Sequence, residues 1–107
     1  LEDRSDGPLN PYTRMLVEGV STHRTRIDDL LSTYSEQWPV GRMPAVDRNL
    51  LRIGAWEVLW APDVPTGVAI SEAVELSKDL STDESPSFIN GVLGQLADIK
   101  DHLVLEP

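Results

Sequence analysis

The sequence has no cysteine. That excludes disulfides and thiolate metal sites, and it fits a cytoplasmic location. Basic residues are scarce: nine against eighteen acids, for a net charge of −9. The deficit is uneven. Residues 1–60 hold seven arginines and nine acids, whereas residues 61–107 hold two lysines and nine acids. Nucleic-acid binders use basic residues to displace counterions from phosphates. The later part of this chain cannot do so by net charge, so any such contact needs a local patch. Histidine is also sparse. His23 and His102 lie far apart in sequence, and neither belongs to a ligand pattern such as H-E-x-x-H. There is no G-x-S-x-G nucleophile elbow and no phosphate-cradling glycine loop. With no nucleophile, metal set or cofactor motif, the chain reads as an interaction module that needs no cofactor rather than an enzyme. No apolar run is long enough to span a bilayer, and nothing resembles a signal peptide. No run alternates in the manner of a strand, which points to an all-α fold.

What is present is an ordinary globular composition. The 107 residues are 40% hydrophobic and 25% charged, enough for one domain with one core. Residues 1–10 are polar, contain Gly7 and Pro8, and read as a linker. Residues 11–100 carry helical patterns, and 101–107 read as a tail. After Pro11, apolar residues recur at three- and four-residue intervals from Tyr12 to Tyr34, predicting a helix over 10–37 ended by Pro39 and Gly41. His23 takes one of its apolar positions. The next pattern, Val46 to Trp60, is apolar on most sides and predicts a central helix. Arg52 and Glu57 on it are the charges best placed for partial burial, and a buried charge needs a partner. Gly54 permits a close helix neighbour there. Pro62 and Pro65 end this helix. Residues 68–80 then predict a third helix. Ile70, Ala73, Val74, Ser77 and Leu80 form its narrow buried stripe, with Glu72, Glu75, Lys78 and Asp79 outside.

The stretch Asp83–Leu93 opens the fourth helix, which runs to about Lys100. Asp83, Glu84 and Ser85 offer side-chain oxygens to unpaired backbone N–H groups, and Pro86 suits the first turn. Asn90-Gly91 is a turn signal inside a helical pattern: either the chain turns there, or a helix tolerates the pair because it needs them. Phe88 at the helix start reads either as core or as a ring that stacks on a base or fills a partner's pocket. Three tryptophans, Trp38, Trp56 and Trp60, are many for this length and suit both cores and interaction surfaces. The four helices together predict an irregular bundle.

Three ordered blocks carry a resemblance: A-V-D-R-N-L-L-R-I-G-A-W-E-V-L from Ala45, then V-A-I-S-E-A-V-E-L-S-K from Val68, then S-F-I-N-G-V-L-G from Ser87. With Y-T-R-M-L-V-E-G-V at Tyr12, they resemble the C-terminal part of the NusB transcription antitermination factors over most of residues 10–100. The resemblance implies a non-catalytic protein that pairs with NusE, a small-subunit ribosomal protein, and binds boxA RNA. That complex lets RNA polymerase read through terminators, notably in ribosomal RNA transcription. By the same resemblance Asp47 is expected to bind NusE, and Glu84, Ser87 and Phe88 to face RNA; Asn90-Gly91 is expected to be structural and helical, with Gly91 allowing a close helix contact and Asn90 hydrogen-bonding a neighbouring backbone. Arg42 and Arg48 are the nearest basic residues. The family's arginine-rich first helix and its second helix have no counterpart before Tyr12. The chain is therefore expected to be a piece of a longer protein, with part of its core uncovered. Two other readings stand beside this one. The N-terminal accessory domain of RsmB-type ribosomal RNA cytosine methyltransferases is similar to NusB and carries a comparable F-x-N-G-V-L segment. A helical dimerisation module is the third reading.

Overall fold

Asn10 starts the first helix by accepting the Tyr12 N–H on its side-chain oxygen at 2.8 Å, with Pro11 in the first helical position. The computed structural model describes residues 10–35, 38–61 and 63–105. The linker expected at residues 1–10 lies outside the described residues except for Asn10. Helix α1 spans Pro11–Tyr34, α2 Ala45–Leu59, α3 Thr66–Leu80 and α4 Ser85–Ile99. Short 3₁₀ turns, Val40–Arg42 and Lys100–His102, precede α2 and follow α4. No strand occurs among the described residues, and the fold is an all-α, irregular four-helix bundle. None of these helices is long and apolar enough to cross a membrane.

Helix α1 ends before the expected residue 37. At Ser35 the backbone leaves helical geometry, with φ −119° and ψ 53°, and the Ser35 hydroxyl donates to the Leu31 carbonyl one turn back. The helix is buried only at its C-terminal end, through Ile27, Leu30 and Leu31. Tyr12, Met15 and Val17, in its first half, remain substantially exposed.

Helix α2 is central, as its pattern predicts, and packs against each of the other three helices. Gly54 sits where α2 meets α3 and α4. A Cβ built on it would lie 2.7 Å from Leu93 Cδ1 and 3.6 Å from the Ala73 Cβ. Gly19 does the same for α1, where an added Cβ would fall 2.2 Å from the Trp56 indole. Helix α3 approaches closely because its buried positions, Ala69, Ala73 and Ser77, are small and four residues apart. The expected stripe fails at one end: Leu80 is exposed. There the chain leaves α3 for the turn to α4, and Ser81 turns inward instead. The expected tail is also partly structured, since Leu103 and Leu105 pack against the core.

Arg52 and Glu57 on α2 find partners on α1, not on each other. The Arg52 guanidinium forks onto Asp28, with Nε to Oδ1 at 2.9 Å and an Nη to Oδ2 at 3.0 Å. Glu57 is 8% exposed and accepts a hydrogen bond from the Tyr12 hydroxyl. Burial pushes the Glu57 carboxyl above its ordinary value; the Tyr12 hydrogen bond pulls it partly back, and the nearby Glu72 charge adds to the rise. The Tyr12 phenol is also raised, by burial first and then by Glu57 and Glu72.

A carboxyl raised on folding binds its proton more tightly in the folded state. Its stabilising contribution is therefore complete below the ordinary glutamate range and is lost as pH rises through the folded value. Glu57→Gln keeps an acceptor for Tyr12 without burying a charge. Its melting temperature relative to the parent should move upward as pH rises from about 4.5 to 7. Thermal unfolding of both proteins across that range checks this. A constant difference would contradict it.

Candidate nucleic-acid interface

The start of α4 is set by a buried carboxylate rather than by a conventional cap. Asp47, in the first turn of α2, has no exposed surface. Its Oδ2 accepts the Ser85 hydroxyl at 2.7 Å, and its Oδ1 accepts the Ser81 hydroxyl. The two serine oxygens lie 3.1 Å apart, and the Thr82 hydroxyl joins Ser85 at 2.8 Å. Ser85 thus faces inward. Its hydroxyl oxygen also accepts the Thr82 N–H at 3.3 Å, outside the helix. Glu84, the residue before α4, makes no side-chain cap, contrary to the expected capping role. Asp83 and Glu84 are exposed.

This anchoring fixes the first turn of α4, which forms one wall of an open groove of about 940 Å³. Ser87, Phe88, Gly91 and Gln95 line it from α4 and Glu84 from the residue before it; Tyr34 and Trp38 line it from the end of α1 and beyond. Phe88 is half-buried, and Trp38 meets it edge to face, with ring centroids 5.1 Å apart and planes at 68°. No lysine or arginine lines the groove among the described residues. Such a surface can stack on flat rings and hydrogen-bond their edges, but it offers no cation to phosphate.

Glu84, Ser87 and Phe88 therefore share one surface. Asp47 is separated from it, buried beneath the α3–α4 turn. Arg42 is exposed on the 3₁₀ turn, and Arg48 is half-buried on α2; neither lines the groove. Gly91 was expected to allow a close helix contact and Asn90 to hydrogen-bond a neighbouring backbone. Both are exposed instead, and a Cβ on Gly91 would meet nothing within 4 Å. The physical reason is helix phase. The buried row of α4 runs Ser85, Ile89, Val92, Leu93 and Leu96, which leaves positions 90 and 91 facing out. Trp38 and Gln95 were not placed at the site from sequence. The spacing Ser87, Gly91, Gln95, in steps of four along one face, is the signal that would have found Gln95. The pairing of Trp38 with Phe88 spans fifty residues and left no local signal.

A second aromatic pair lies along α1. His23 stacks on Trp60 with centroids 4.2 Å apart and planes 15° from parallel, which explains a histidine at an apolar position. Trp56 is buried and Trp60 half-buried. Among the described residues, no group of three His, Asp or Glu side chains could hold a metal ion.

Fold and groove together define an all-α domain with an aromatic, polar-rimmed surface site. The NusB family model matches residues 2–98. The transcription antitermination protein NusB of Kineococcus radiotolerans is 60% identical over 100 residues, which cover 94% of this chain and 74% of that protein. The protein of the same name from an Arthrobacter species is 58% identical over 102 residues, covering 95% and 75%. Among solved structures, T. maritima NusB superposes with a TM-score of 0.77 at 37% identity, covering 86% of this chain and 68% of that one. The chain belongs to the NusB family of transcription antitermination proteins.

Proposed function

We propose that this chain works in transcription antitermination as a non-catalytic cytoplasmic adaptor, binding boxA RNA together with the ribosomal protein NusE so that RNA polymerase reads through terminators. The observation that carries this reading is the 60% identity, over nearly the whole chain, to a protein named for that activity. It favours the antitermination reading over the methyltransferase accessory domain. The RNA side is assigned to Glu84, Ser87 and Phe88, and the shared groove supports grouping them. Asp47 is assigned to NusE binding through the α3–α4 turn it holds, since its own carboxylate has no exposed surface.

The test is fluorescence anisotropy of a labelled single-stranded boxA oligonucleotide with this chain, with and without purified NusE, across a salt series. RNA affinity should rise when NusE is present and fall steeply with salt, as phosphate contacts made elsewhere on the complex are screened. Binding of neither NusE nor RNA at micromolar concentrations would overturn the reading.

A further inference from the structure

Helix α2 buries two carboxyl groups, and they are treated differently. Asp47 accepts two serine hydroxyls. Glu57 has one partner, the neutral hydroxyl of Tyr12 in the first turn of α1. Among the described residues no lysine or arginine pairs with Glu57. Arg52, on the same helix, is committed to Asp28. From α3, Glu72 adds a second negative charge nearby. Helix α4 carries one ionisable side chain, Asp98, and neither it nor Arg14 or Glu18 on α1 is hydrogen-bonded or ion-paired to Glu57. The element that brings Tyr12 onto Glu57 is itself weakly held, since the first half of α1 contributes no fully buried side chain. We propose that this half of α1 is a proton-linked strap, docked across α2 while Glu57 is protonated and lifting more readily once Glu57 is ionised.

Lifting residues 11–22 takes Tyr12 away and lets water reach Glu57. Water solvates a carboxylate better than one phenol does, and it screens the charge on Glu72. The lifted state therefore favours the ionised carboxyl, and the docked state the protonated one. A proton held more tightly in the docked state makes docking strongest below the ordinary glutamate range. That advantage is lost as pH rises through the docked value. Burial also raises the Tyr12 phenol, so Tyr12 keeps its proton throughout and donates to Glu57 in either state. It moderates the switch without driving it. Little apolar burial opposes lifting: Leu16 and Val20 are partly buried against the core, and Trp56 meets Gly19, but Tyr12, Met15 and Val17 are exposed.

The chain has no cysteine, so Val20→Cys supplies a single reporter thiol on the strap. Helices fray from their ends, so an opening that frees residue 20 also frees Tyr12. Labelling by 4,4′-dithiodipyridine, taken relative to a short peptide of the same local sequence at each pH, reads that opening. Between pH 4.5 and 7 the relative rate should rise roughly 3- to 10-fold. Adding Glu57→Gln should make it flat. Adding Glu72→Gln, a change at an exposed position, should shrink the rise. Tyr12→Phe removes the hydrogen bond that favours the ionised carboxyl and should enlarge it. A merely structural tie would shift the rate by the same factor at every pH. Labelling should also respond weakly to urea, because a lifted strap exposes little surface. A relative rate independent of pH overturns the strap, as does a rise that persists in Glu57→Gln or is untouched by Glu72→Gln. Urea dependence as steep as that of global unfolding would place the opening in the whole domain and overturns it too.

Discussion

Asp47→Ala is expected to lower the unfolding free energy by about 3 kcal/mol, measured by urea denaturation. The size follows from what the substitution leaves behind. Two hydroxyls, on Ser81 and Ser85, donate to a carboxylate with no exposed surface. Hydrogen bonds to a charged acceptor contribute about 1.5–3 kcal/mol each, and removing the acceptor strands both donors in the interior. The serines still have each other and Thr82, which limits the loss. The asymmetry between breaking and removing a polar network supplies the control. The triple variant Asp47→Ala, Ser81→Ala, Ser85→Ala leaves none of these three groups unpaired and should regain much of the stability lost by Asp47→Ala alone. A single variant within about 0.5 kcal/mol of the parent would show that the carboxylate does not organise this junction.

Gly54→Leu should be at least as damaging, at about 3 kcal/mol or more. Even a methyl at this position would lie 2.7 Å from Leu93 Cδ1, and Leu93 is itself fully buried. The larger side chain has to push α2 away from α4, breaking contacts along the core. Gly54→Ala divides the effect: alanine gains about 1 kcal/mol of helix propensity, set against whatever Leu93 loses by moving aside. The clash predicts coupling. Leu93→Ala, destabilising alone, should cost markedly less in the Gly54→Leu background, and a double-mutant cycle reads that difference. Additive losses would mean that the two positions do not compete for space.

Much of this architecture is legible in the residue order. Apolar spacing marks all four helices, and the all-round hydrophobicity of Val46–Trp60 marks the central one. Arg52 and Glu57 stand out as charges on a buried surface. Their partners do not, because Asp28 and Tyr12 lie on another helix 24 and 45 residues away. Asp47 illustrates the limit more sharply. A carboxylate in the first turn of a helix looks the same in sequence whether it faces solvent, a partner or a pair of serines. Only the packing of the α3–α4 turn over α2 distinguishes these cases. Gly91 misleads for the opposite reason: a glycine inside a helix pattern invites a close-contact explanation, which holds at Gly54 and not at Gly91. At the site, Phe88 and its neighbours on α4 are visible together because they share a helix. Trp38 enters from another segment and becomes part of the groove only through the fold.

The uneven burial of α1 has a consequence for cooperativity. Its last two turns, with Ile27, Leu30 and Leu31, belong to the core and can open only when the domain does. Its first turns are tied down at separate points: the Tyr12 hydroxyl on Glu57, and the Trp56 ring beside Gly19. Fraying from residue 11 toward residue 22 takes no fully buried side chain of α1 out of the core, only the partly buried Leu16 and Val20 that pack against it. Backbone amides there should exchange with solvent through local openings of low free energy, while those of α2 wait for global unfolding. One continuous helix thus spans two regimes of protection, and the Tyr12–Glu57 hydrogen bond sits at the loose end of the looser one.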